Sequence, residues 1–94
     1  MTEENYKFNV PDEIYGEAID GIDLTILGSD SARLIEAYVK QEGDLSAVQW
    51  RVLKQCDREL QIIIPKTDGK IQKYFRGLYV GINDVFQKNE EAEQ

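Results

Sequence analysis

"KQCDRELQIIIPK", residues 54–66, holds the chain's only cysteine, its longest aliphatic run and one of its two prolines. As a buried strand it would set a thiol beside a sheet; as a helix end it makes the chain helical. The spacing of apolar residues decides. Leu45, Val48, Val52, Cys56, Leu60 and Ile63 recur at steps of three or four, and Trp50, Leu53 and Ile64 widen the stripe. Arg51, Lys54, Gln55, Arg58 and Gln61 fall mostly opposite, the two-faced pattern of a surface helix. Residues 45–61 show neither the alternation nor the bounded apolar run of a strand. Pro65 disfavours helical geometry at Ile64 and stops the chain there. With Gly43 as a left-handed stop and Asp44 as N-cap, a helix over 45–64 is predicted.

Downstream, "TDG" (67–69) reads as a turn in which Thr67 or Asp68 caps the next helix. Ile71, Phe75, Leu78, Ile82 and Val85 then form a helical seam over 70–87, flanked by Tyr74, Tyr79 and Phe86. Gly77 and Gly81, one turn apart, would let another helix approach closely. Upstream, residues 30–41 form a helix, and a second stretch from about Ala18 to Leu27 is read as helix with a break near Gly28. "DLTIL" leaves strand open for 18–28, and a short hairpin within 5–27 is the weaker option. "PDEIYGEAIDG" has Pro11, Asp12 and Glu13 where a helix start wants them, although Gly16 and Gly21 weaken it. "YKFNV" alternates and reads as an extended arm. The fold class is therefore all-α: one compact domain of three to four helices over 11–88. An extended N-terminal arm (1–10) precedes it and a frayed, disordered acidic tail (89–94) follows.

Composition narrows function mainly by exclusion. Ninety-four residues fit one domain. No apolar run approaches the roughly 18–20 residues that span a bilayer, and "MTEENYK" lacks the basic start and apolar stretch of a signal peptide. A single cysteine makes no internal disulfide, so a cytoplasmic setting is expected. With no histidine, histidine-based triads are excluded and transition-metal sites disfavoured. Cys56 lies in the apolar stripe, far from either helix end, and reads as a buried structural thiol. No spacing of acids matches a calcium loop, and "GSDS" lacks a phosphate-loop pattern. No catalytic residue, cofactor or metal is predicted.

Charge is unevenly spread. Residues 1–44 carry −8, residues 45–89 carry +4 and the last five −3, within a net charge of −7. This balance disfavours nucleic acid, whose phosphates need concentrated Lys and Arg, and favours a basic protein partner. Asp20, Asp23, Asp30 and Glu36 are the candidate partner-binding residues. Trp50 with the basic ridge of Arg51, Lys54 and Arg58 is the alternative interface; such a ridge is more often a solvated face.

Gly43, Leu45, Leu53, Cys56, Leu60, Pro65, Gly69, Tyr74, Phe75 and Leu78 form a pattern in which a Gly-Asp-Leu turn leads into a long helix with Cys and a terminal Pro. A Tyr-Phe helix follows. In this pattern the chain resembles short, uncharacterised bacterial all-helical proteins, over about half its length. The resemblance implies a helical fold and transfers no site residue. The functional expectation is a small acidic interaction domain of immunity or antitoxin type, without enzymatic activity, that binds a basic partner. The alternative is a homo-oligomeric structural or regulatory protein, a homodimer included, joined through Gly77, Gly81 and the aromatic helix.

Overall fold

A computed structural model describes residues 10–92, in which three helices pack each against both others: α1 (Leu24–Lys40), α2 (Ala47–Ile63) and α3 (Gly69–Ala92). A cap precedes them, made of one 3-10 turn (Asp12–Ile14) and a minimal antiparallel hairpin, β1 (Ala18–Ile19) with β2 (Ile22–Asp23). The all-α expectation is met, with three helices. The predicted arm lies outside the described residues except for Val10, which is buried in the core.

Residues 18–23 form the short hairpin held as the weaker option, in place of the predicted helix. Asp20 and Gly21 both take positive φ, 53° and 80°, the backbone of a tight hairpin turn for which Asp-Gly is the favoured pair. Ile19 thereby faces Ile22 across the ladder. The helix start expected at Pro11 shrinks to the single turn Asp12–Ile14. Thr25 ties that turn to α1: its Oγ1 donates to the Ile14 carbonyl at 3.2 Å and accepts from the Gly16 N–H at 3.1 Å.

The predicted break near Gly28 is absent, and α1 runs through it unbroken from an Asp23 N-cap whose carboxylate accepts the Ile26 N–H at 2.9 Å. Gly28 is a notch. A Cβ there would lie 2.9 Å from the Tyr74 hydroxyl, so the missing side chain admits the tyrosine of α3. Gly81 plays the same part from the other side, with Ile35 Cδ1 at 2.9 Å from its would-be Cβ. Of the glycine pair expected to seat a neighbour, only Gly81 does so, and the neighbour is α1.

α2 starts two residues later than Asp44 would allow. Ser46 and Gln49 form a reciprocal capping box: Gln49 N–H donates to Ser46 Oγ at 3.1 Å and Ser46 N–H to Gln49 Oε1 at 2.8 Å. The Gln49 side chain also exchanges amide bonds with Gln41, closing the turn from α1. Leu53, Cys56, Leu60 and Ile63 are the buried row. Val48, predicted in that row, is 62% exposed, because five residues separate it from Leu53 and turn it away. α2 ends at Ile63, yet against the expectation Ile64 keeps helical dihedrals (φ −56°, ψ −47°) and Pro65 does not stop the chain there. The chain tightens into a 3-10 turn (Ile64–Lys66), and the Ile64 carbonyl accepts from Thr67 N–H, Thr67 Oγ1 and Gln72 Nε2 at 3.1, 2.9 and 3.0 Å.

α3 extends to Ala92, beyond the predicted end at 87, so residues 89–92 of the expected disordered tail are helical. No Gly or Pro interrupts them, and Asp84 and Lys88 form an i,i+4 ion pair at 3.2 Å just before. Phe75, Ile82 and Val85 bury the α3 seam against Leu53, Leu60 and Ile63 of α2 and Leu24, Leu27 and Leu34 of α1 in one core.

Leu60→Ala is expected to cost about 2–5 kcal/mol in chemical denaturation, the usual loss for a buried leucine. Val48→Ala, on the exposed side of the same helix, is expected to cost less than about 0.5 kcal/mol.

Candidate functional site

Cys56 is 4% exposed and meets α1 at Ser31, which is fully buried. Burial is the main force on the thiol and pushes its pKa up; Ser31 opposes this, while the charges of Asp30 and Glu59 add to the rise. Ser31 Oγ, also buried, has no hydrogen-bond partner among the described residues. A thiol held neutral in this way is a core atom. Tyr74 is shifted in the same direction, by burial first and Tyr15 second. Among the described residues no three of His, Cys, Asp and Glu stand where they would hold a metal ion. No helix among them is long and apolar enough to cross a membrane.

The four candidate acids do not form one site. Asp20, on the hairpin turn, makes an ion pair with Lys66 from beyond α2. Asp23 is committed to the N-cap of α1. Asp30 lies toward α2, within electrostatic reach of Cys56. Glu36 is six residues further along α1, pairs with Lys40 at 3.2 Å and borders the α1–α3 side beside Ala32, Ile35, Val39 and Leu78. Six helical steps turn a side chain by about 240°, which separates Asp30 from Glu36.

The fold instead assembles acids that spacing did not single out. Glu13 and Glu17 from the cap and Asp68 from the turn before α3 line one cleft of about 240 Å³. Its floor is apolar, formed by Ile14, Ile19, Leu24 and Ile71. Glu13 was read only as dipole chemistry for a helix that does not form. Asp68 is some fifty positions away and meets the others only because the cap folds over the α2–α3 turn.

The alternative interface is brought together more fully. Trp50 is half-buried at the start of α2, stacked on Phe86 of α3 (ring centroids 6.3 Å apart, 27° between planes) and edge-on to Tyr38 of α1 (6.1 Å, 70°). Trp50, Arg51 and Lys54 line an open groove of about 840 Å³ between α2 and α3, faced by Asn83, Phe86 and Glu90. Arg58 is exposed one turn beyond Lys54 and does not line it. Asp57 closes the groove's far end by accepting from Asn83 Nδ2 at 3.0 Å and from Gln61 Nε2 at 3.1 Å.

Comparison with known proteins adds no relative: no family model, no curated protein and no solved structure matches the chain.

A disulfide-exchange reagent is expected to modify Cys56 in the folded protein at least about a hundredfold more slowly than in denaturant, since the neutral, buried thiol must first be exposed. The folded-state rate is expected to rise with pH past the free-thiol range near 8.5, following the upward shift.

Proposed function

We propose that this chain is a non-enzymatic interaction domain that covers a basic patch of a partner protein with its acidic cap, in the manner of an immunity protein or antitoxin. The observation that carries the reading is the cleft between Glu13, Glu17 and Asp68. Its apolar floor suits the methylene stem of a Lys or Arg side chain, and its carboxylates suit the cationic head. Around it Asp12, Asp20 and Asp23 are also exposed, and from residue 10 to residue 32 the chain has no Lys or Arg. This field steers a basic partner toward the cleft before contact. The single, buried thiol suits a reducing cytoplasm.

A second reading, self-association, is favoured by one observation. Val39 is 71% exposed and stands with Ala32, Ile35 and Leu78 around an apolar hollow of about 360 Å³ on the α1–α3 side. A homodimer joined there would bury it.

Capture from native cell extract with wild-type protein and with Glu13→Lys/Glu17→Lys protein in parallel tests the first reading. A basic protein retained by the wild type is expected to bind the variant about tenfold or more weakly, and the wild-type complex to weaken as salt rises. Capture that ignores both substitutions overturns it. Sedimentation of the purified chain tests the second: a dimer that Val39→Lys splits would support it.

A further inference from the structure

The α2–α3 groove is a separate surface of opposite character. Arg51 and Lys54 stand on its α2 wall, and Arg58 continues their line. Among the described residues none of these three forms an ion pair, and neither do Lys70, Lys73 and Arg76 of α3, whereas Lys40, Lys66 and Lys88 each have a carboxylate partner. A row of uncompensated cations in a chain of net charge −7 stands out against the surrounding acidity. Beside the row lies the half-buried Trp50–Phe86 stack, a flat apolar and aromatic surface of the kind that anchors interfaces. The opposite wall is polar, Asn83 and Glu90, so a ligand's carboxylates are directed to the α2 side.

We infer that this groove is a second docking site, independent of the acidic cap, for an acidic amphipathic helical segment of a partner protein. Charge complementarity commits the occupant. Arg51, Lys54 and Arg58 step by three and four residues over about 10 Å of helix, matching carboxylates that recur at the same interval on a helix laid alongside. An apolar side chain from the adjoining face of that helix rests on Trp50 and Phe86. Phosphate-backbone ligands suit the groove less well, because two lining cations facing Glu90, with Arg58 beyond them, give little counterion release in an acidic protein. A second copy of the chain would have to bring its acidic cap to the groove at the expense of repulsion between two net-negative molecules.

Trp50 is the only tryptophan of the chain, so its fluorescence reports occupancy of this groove. The probe is a synthetic helical peptide with Glu at every third or fourth position and Leu beside them, together with its Glu-to-Gln analogue and a single-stranded oligonucleotide. The acidic peptide is expected to change Trp50 emission saturably, and to bind about tenfold more weakly to Arg51→Glu/Lys54→Glu protein and at raised salt. Circular dichroism of the variant is expected to keep its helical signal, since both positions are exposed. Glu13→Gln/Glu17→Gln protein is expected to bind the peptide as the wild type does, so loss of the cap reading and loss of this one are told apart. Equal binding by the Gln analogue, equal binding by the Arg51→Glu/Lys54→Glu protein, or no response to the acidic peptide overturns the inference. A stronger response to the oligonucleotide, or a concentration-dependent change without peptide accompanied by a sedimenting dimer, also overturns it, in favour of nucleic acid or a second copy.

Discussion

The carbonyl of Ile64 is not answered from within α2, because α2 ends at Ile63 and the chain goes on as the Ile64–Lys66 3-10 turn. It is answered three times from downstream, by the Thr67 backbone, the Thr67 hydroxyl and the Gln72 amide. Gln72 belongs to α3, so one hydrogen-bonded cluster fixes both where α2 stops and the angle at which α3 departs. Trp50 against Phe86 and Asp57 against Asn83 show that α3 then runs back along α2. Phe75 and Ile82 can fill the core beside Leu60 and Leu53 only in that arrangement. The Glu13–Glu17–Asp68 cleft needs it too, since Asp68 lies in the same turn. So does the Trp50 groove at the far end.

The result is a molecule with its charges sorted by position. The cap and its cleft are acidic; the outer ridge of α2 is basic and uncompensated. This sorting is already in the linear sequence, where the first half is acidic and the next forty-odd residues are mildly basic, but only the fold gives each sign a shaped surface. Cys56 and Ser31 sit between, as packing atoms of the α1–α2 contact. Burial raises the thiol pKa, which suits a core and not a nucleophile.

How much was legible follows from the range of the interactions involved. The helices over 45–64 and 70–87 could be read because their apolar steps are local and long-sustained. The basic ridge came with them, as residues on one helix keep a fixed spacing. The hairpin is hard to read because its signal is two residues long, Asp20–Gly21, directly ahead of the leucine stripe of α1, whose period carries a helical reading back into it. Gly28 looked like a break because propensity counts only what a glycine costs its own helix; its benefit, room for Tyr74, lies 46 positions away. Asp44 and Ser46 are equally good caps in isolation, and Gln49, able to complete a box only with Ser46, settles the choice. The acidic cleft was illegible, since Asp68 joins Glu13 and Glu17 only through the tertiary fold.

The way Thr25 holds the cap has a consequence for binding. The α2–α3 pair is closed by a turn of a few residues, whereas its contacts, Trp50 with Phe86 and Asp57 with Asn83, join residues 36 and 26 positions apart. The cap is tied to α1 through Thr25 and the Leu24 N–H bond to the Glu17 carbonyl, and to the α2–α3 turn through the Asp20–Lys66 ion pair, with Ile14 as its main buried anchor. It therefore bridges α1 and the α2–α3 turn from outside the three-helix bundle. The acidic cleft has one wall on the cap and one on the helical turn. A basic side chain clasped between them would join the cap to the helical turn, so that binding there braces the cap without deforming the core.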